Sequence, residues 1–164
     1  MKALIVEDEP RAQRALENLL RTNFPEVEVI GRTASVKETV DWLAGHRPDV
    51  IFMDVELADG TCFDIFAEVP VDAQVVMTTA YDSYAVKAFE VNSVDYLLKP
   101  VDIEELKRAV SRVEQRLTAG APPIDFTKVS ESFRPREKFL IRLNDRIVPV
   151  SVRDIAYLDR KSVV

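Results

Sequence analysis

Apolar residues come in short unbroken runs, separated by stretches of helical spacing, through most of this chain. Residues 3–7, ALIVE, form the first run. Pro10 then suits a first helical turn, and Ala12, Ala15, Leu16, Leu19 and Leu20 recur at helical spacing until Phe24-Pro25 closes the element. VEVIG (27–31) alternates as a strand does. Ser35 is a natural cap for a helix that turns Val36, Val40 and Leu43 inward and ends by Gly45. DVIFMD (49–54) reads as the third strand, TCFDIFAEV (61–69) as a short helix after the Asp59-Gly60 turn, and QVVMTTA (74–80) as the fourth strand. SYAVKAFEV (83–91) predicts a helix with Ala85, Ala88 and Phe89 on one face, and VDYLL (94–98) a fifth strand. Ile103, Leu106, Val110, Val113 and Leu117 mark a closing helix.

Five strand–helix pairs whose strands are mostly continuous apolar runs predict an α/β fold with a five-stranded parallel sheet covered by helices on both faces. TAGAPPIDFT (118–127) breaks the pattern and reads as a linker. Beyond it KFLIRL, the turn ND and RIVPVS predict a hairpin, and IAYLD a further strand. The expected division is therefore 1–118, a linker over 119–136, and a β-rich segment over 137–164.

Composition narrows the setting. Hydrophobic residues make up 47% of the chain and charged ones 30%, an ordinary globular balance. One cysteine, Cys62, allows no internal disulfide and reads as a small buried apolar residue rather than a reactive thiol. No apolar run has the length of a membrane span and no signal-peptide layout opens the chain, so the expected location is cytoplasmic, away from the membrane. Residues 1–118 carry 13 Lys/Arg against 22 Asp/Glu, whereas residues 119–164 carry 9 against 6. An acidic body with a basic tail is a mild pointer to an anionic partner for the tail, with a solvated surface as the plainer alternative.

In open parallel sheets ligands bind beyond the carboxyl ends of the strands. Those ends carry Glu7-Asp8-Glu9 after strand one, Asp54 after strand three, Thr78-Thr79-Ala80 after strand four and Lys99-Pro100 after strand five; strand two ends in Arg32-Thr33, read as contributing nothing. Singly, each has a plain explanation, such as acids opening a helix. Jointly they place carboxylates, a hydroxyl and an ammonium on one rim. Clustered carboxylates without His or Cys select a hard cation, best Mg²⁺. The single histidine, His46, falls in a loop away from them. A cation, a lysine and a hydroxyl suit a phosphoryl dianion, with a carboxylate, Asp54, as its acceptor.

LIVEDEP, IFMD, TTA and DYLLKP, in this order and spacing, resemble the receiver domain of bacterial two-component response regulators over residues 1–118. The resemblance implies a flavodoxin-like (βα)5 fold in which Asp54 accepts a phosphoryl group from a sensor histidine kinase. It implies that Asp8, Asp54 and the backbone carbonyl of Glu56 hold Mg²⁺, with Glu7 assisting through water. Lys99 and the Ala80 amide would bind the phosphoryl oxygens, Thr79 would donate its hydroxyl, and Tyr96 would turn with Thr79. One departure is Glu7, where many receivers have a second aspartate. EKFLIRLNDRIVPVSVRDIAYLD resembles the start of the LytTR DNA-binding domain. That implies a transcription-regulatory output of which only the first strands are present, so DNA binding is expected of the full-length C-terminal domain and not of this fragment. The face built from residues 83–117 is the expected homodimer surface. Tyr81 and Glu56, each two residues beyond a switch position, suggest slow loss of the phosphoryl group. Other readings are a stand-alone receiver, a nucleotide-binding protein of similar shape that lacks a glycine-rich loop after strand one, and a Mg²⁺-dependent phosphohydrolase of the haloacid dehalogenase type. The last would need an aspartate where Glu56 stands.

Overall fold

The computed structural model describes residues 1–80, 95–123, 138–143 and 146–151, the last two segments as backbone strands. The chain divides into two units, Met1–Val129 and Ser130–Val164. In the first, β1 (Lys2–Val6), β2 (Glu28–Thr33), β3 (Val50–Asp54), β6 (Gln74–Thr79) and β7 (Asp95–Leu98) form one sheet in the order β2-β1-β3-β6-β7. Every neighbouring pair is parallel. Strand order reverses between β1 and β3, the doubly wound arrangement that opens a crevice at their carboxyl ends.

Alternation along the strands divides the core between two faces. Ala3, Ile5, Val50, Phe52, Val76 and Leu97 pack with Leu16 and Leu20 of α1 (Pro10–Asn23) and with Leu106, Ala109, Val110 and Val113 of α4 (Ile103–Thr118). Leu4, Val6, Ile51, Met53, Val75 and Met77, all 0–1% exposed, point to the other face. There α2 (Val36–Gly45) packs on α3 (Cys62–Glu68) and brings Val36, Leu43, Cys62, Ile65 and Phe66 inside. Each fully buried side chain of this size contributes ~1.5–3 kcal/mol, so central strands of this kind hold their ends rigidly in place.

Helix starts follow local chemistry. Pro10 occupies the first turn of α1. Ser35 caps α2 by accepting from the Glu38 amide at 3.1 Å. Asp102 caps α4 by accepting from the Glu104 and Glu105 amides at 2.8 and 3.2 Å. At the far end of α4, Gly120 takes φ +63° and its amide reaches the Leu117 carbonyl at 3.1 Å, a left-handed stop that glycine adopts without strain.

The apolar periodicities need three adjustments. Ala15 lies on the solvent side of α1, Val40 is half-buried while Thr39 takes the inward position on α2, and Leu117 is 37% exposed. β2 runs on to Thr33 rather than ending at Gly31, and its pairing with β1 slips between Ala3–Val29 and Leu4–Gly31, which leaves Ile30 as a bulge.

A small antiparallel ladder, β4 (Glu56–Leu57) with β5 (Gly60–Thr61), lies between β3 and α3. In the second unit, β8 (Lys138–Leu143) and β9 (Arg146–Ser151) pair antiparallel from Lys138–Ser151 to Leu143–Arg146, as the hairpin reading expects. The expected helix 83–91, Tyr81 and the strand IAYLD lie outside the described residues. Among the described residues no helix is long and apolar enough to cross a membrane.

Candidate functional site

The rim at the reversal of strand order is built by continuing β1 and β3 one step past their apolar runs. The Glu7 amide still pairs with the Thr33 carbonyl at 3.0 Å, which holds Glu7 at the sheet although it follows the strand. Its carboxylate is 3% exposed, Asp54 is 7% exposed, and Asp8 next to Glu7 is open to solvent. Carboxylate oxygens of Glu7, Asp8 and Asp54 all lie within 4.8 Å of one another.

Lys99 reaches into this cluster from the end of β7. Its Nζ donates to Glu7 Oε2 at 2.5 Å and also to Asp54 Oδ2. The Lys99 amide donates to the Thr79 carbonyl at 2.7 Å, so the lysine is fixed from its backbone outward. The Lys99–Pro100 peptide is cis. Burial alone would lower the lysine's pKa, but its bonds to Asp54 and Glu7 outweigh that and hold it above its ordinary value. Glu7 goes the other way in cost. Burial pushes its carboxyl up, Lys99 returns only part of the loss, and the charge of Asp54 adds to the rise. One ammonium shared between two carboxylates gains from both, while each carboxylate receives only half of it.

The sum is one positive charge among three carboxylates. Residual negative charge on hard oxygen donors, with one of the three exposed, is the donor set a Mg²⁺-type cation accepts. The residues present therefore fit such an ion.

The remaining positions lie around this centre. Thr79 ends β6 and is buried, and Ala80 follows it at the surface. Thr79 pairs in register with Leu98, so Tyr96, two residues earlier on β7, shares its face of the sheet. Tyr96 is half-buried. Asp54 pairs with Thr78, and the Val55 amide reaches the Thr78 carbonyl at 3.3 Å. The Glu56 amide donates to Asp54 Oδ1 at 3.3 Å. Cys62 is fully buried and its thiol pKa is pushed up by burial and then by the charge of Asp54, which leaves it inert. His46 stacks on Trp42 with ring centroids 4.2 Å apart, remote from the rim as its loop position suggests.

Several supporting residues escape a reading of strand ends. Thr33, taken as idle, is buried, and its carbonyl anchors Glu7; its hydroxyl meets that of Thr39 at 2.8 Å. Gln13 Nε2 donates to the Glu7 carbonyl at 3.2 Å from the facing turn of α1. Asp59, read only as part of a turn, accepts from the Val36 and Lys37 amides at 2.6 and 3.1 Å. No one-dimensional spacing signals a contact of this range.

Comparison with known proteins agrees with the receiver resemblance. The family profile of the response regulator receiver domain matches residues 3–111. The sensory transduction protein LytT of Bacillus anthracis is 31% identical over 161 residues, covering 96% of this chain and 65% of that protein. The transcriptional regulatory protein LytR of Staphylococcus aureus is 39% identical over 116 residues, covering 69% of this chain and 47% of that protein. The chain thus spans less than two thirds of the length of these relatives. Among solved structures, the receiver domain of AraT from Geobacillus stearothermophilus superposes with a TM-score of 0.62 at 27% identity, covering 73% of this chain and 96% of that one.

Proposed function

This chain belongs to the response regulator receiver family, and we propose that within it Asp54 is the residue that accepts a phosphoryl group from a sensor histidine kinase. What carries the reading is Lys99, which bridges Asp54 and Glu7 at the reversal of strand order with Asp8 alongside. In this reading an Asp54 carboxylate oxygen attacks phosphorus, a phosphorus–oxygen bond forms, and the phosphorus–nitrogen bond to the kinase histidine breaks. Lys99 then transfers its contact from the carboxylate to the phosphoryl oxygens. Asp8, Asp54 and the Glu56 carbonyl would hold Mg²⁺, with Glu7 assisting. The ion, when bound, supplies charge neutralisation for the transferring group. Because the acceptor is consumed as it reacts, the protein catalyses only its own modification and is a regulator rather than a turnover enzyme.

Phosphorylation replaces one carboxylate charge with about two and adds strong acceptor oxygens. Thr79, by its hydroxyl, and Ala80, by its amide, at the end of the neighbouring strand β6, are the donors proposed to take them up, and Tyr96 lies on the face that Thr79 would vacate. The change would be read at the 83–117 face, where homodimerisation is proposed. The output is proposed to be DNA binding through a LytTR-type domain beginning at residue 137, after a linker over 119–136, inside the cytoplasm. A Staphylococcus aureus relative is described as a transcriptional regulatory protein, and the β8–β9 hairpin agrees with the β-rich start of such a domain. Incubation with a small-molecule phosphodonor and Mg²⁺, followed by intact mass, tests the acceptor. One phosphoryl group is expected on the wild type and none on Asp54→Ala or in the presence of a chelator.

A further inference from the structure

The segment from Val55 to Thr61 carries the backbone that meets Asp54, and it is too short and too exposed to hold itself. Glu56, Ala58 and Asp59 are exposed, and only Leu57 is buried. Two residues per strand in the β4–β5 ladder make a marginal hairpin by themselves. Its tip is nevertheless fastened. Asp59 places Oδ1 2.6 Å from the Val36 amide and Oδ2 3.1 Å from the Lys37 amide, spanning two first-turn donors of α2. These bonds hold the Asp59 carboxyl below its ordinary value, as donors to the charged form do. Beside it, a Cβ on Gly60 would stand 3.2 Å from Val36 Cγ2 and 2.7 Å from Asp64 Oδ2, so the turn is wedged between the starts of α2 and α3. Asp64 accepts from the Thr61 amide at 2.7 Å and closes the other side. Ser35 already supplies α2 with its own cap, at the Glu38 amide. Asp59 meets two other amides of the same turn, so the helix start also holds Asp59.

We infer that Asp59 is a positioning residue for the phosphoacceptor site: by docking the 55–61 loop on the first turn of α2 it presents the Glu56 backbone to Asp54. The contact that this docking would hold in place is the Glu56 amide on Asp54 Oδ1, at 3.3 Å. The inference rests on the proposed role of Asp54 and the Glu56 carbonyl in holding a divalent ion, and it extends that role to a residue that touches neither.

Three variants of the full chain separate this from general destabilisation of α2. Asp59→Ala removes the dock, Asp59→Asn keeps one acceptor oxygen, and Ser35→Ala removes the ordinary cap while leaving Asp59 in place. In the metal-free protein, amide hydrogen exchange at residues 55–61 is expected to quicken in Asp59→Ala and to be unchanged in Ser35→Ala. Mg²⁺ alone, titrated by calorimetry, is expected to bind about tenfold more weakly to Asp59→Ala, the cost typical of losing an outer partner of a metal site. Asp59→Asn should recover part of that loss, and Ser35→Ala should bind as the wild type does. Unchanged exchange in Asp59→Ala, or equal losses of affinity in Asp59→Ala and Ser35→Ala, would overturn the inference. A wild-type chain that binds no Mg²⁺ would instead overturn the proposed site, a result the exchange data alone could not produce.

Discussion

Glu7 is buried at an electrostatic cost. A carboxylate 3% exposed, 2.5 Å from an ammonium that also serves Asp54, is held with its pKa above the ordinary value of 4.5 because burial outweighs the partner. A raised folded pKa favours the folded state at low pH, where Glu7 is protonated. The favour is lost as pH rises through the folded pKa. In a chelator-treated sample the difference in stability between Glu7→Gln and wild type should therefore be small at pH 4 and grow towards neutrality. There Glu7→Gln should be the more stable by ~1 kcal/mol, a usual size for relieving a strained functional site. Thermal melts across that window check the sign; a Glu7→Gln protein less stable at pH 7 would show that Lys99 more than repays the burial. The presence of Glu7, Asp8, Asp54, Thr79 and Lys99 at one rim was legible because each ends an apolar run. Glu7's direct bond to Lys99 was not. Side-chain reach across β1, β3 and β7 has no trace in the order of residues.

At the scale of elements, apolar runs and caps placed the five strands of the main sheet, the described helices and the β8–β9 hairpin to within one or two residues, whereas the β4–β5 ladder has no counterpart beyond the Asp59-Gly60 turn. The exceptions are informative. β2 continues to Thr33 because its pairing with β1 resumes, shifted by one residue, past the bulge at Ile30, and a bulge leaves no mark in the alternation. Gly31 reads in the sequence as the end of that strand, but in the fold it is a close-approach position. A Cβ there would stand 2.5 Å from Trp42 Cζ2, and Trp42 is backed by His46 at a ring separation of 4.2 Å. Gly31→Ala must displace the indole, and overpacking of this kind costs ~1–3 kcal/mol. Urea unfolding followed by the emission of Trp42, the single tryptophan, should show both the loss and an altered native spectrum. Unchanged stability and emission would mean that the ring gives way freely.

Over the whole molecule, the first unit ends in a latch that composition alone presented as a plain linker. After Gly120 turns the chain, the Ala121 carbonyl accepts from Gln74 Nε2 at 3.2 Å. Arg116 donates from Nε to Gln74 Oε1 at 2.7 Å and from Nη2 to the Pro122 carbonyl at 2.8 Å. Gln74 is 2% exposed at the start of β6, so a buried amide uses both its ends to hold the outgoing chain. Small and proline residues signalled the exit, whereas the partners lie 47 residues away and could not be paired by pattern. Arg116→Ala should free this segment. For a net contribution of ~1 kcal/mol, amide hydrogen exchange at Gly120 and Ala121 should be about fivefold faster than in the wild type, with the melting of the first unit little changed. Equal exchange rates would show that the latch does not restrain the exit.

Asp54 is the residue on which the proposed signalling turns. The most direct measurement is the intact mass of the protein after incubation with a small-molecule phosphodonor and Mg²⁺, taken in parallel for wild type and Asp54→Ala. The prediction is one phosphoryl group on the wild type and an unmodified mass for Asp54→Ala. A phosphoryl group on Asp54→Ala equal to that on the wild type would place the acceptor elsewhere and contradict the central claim.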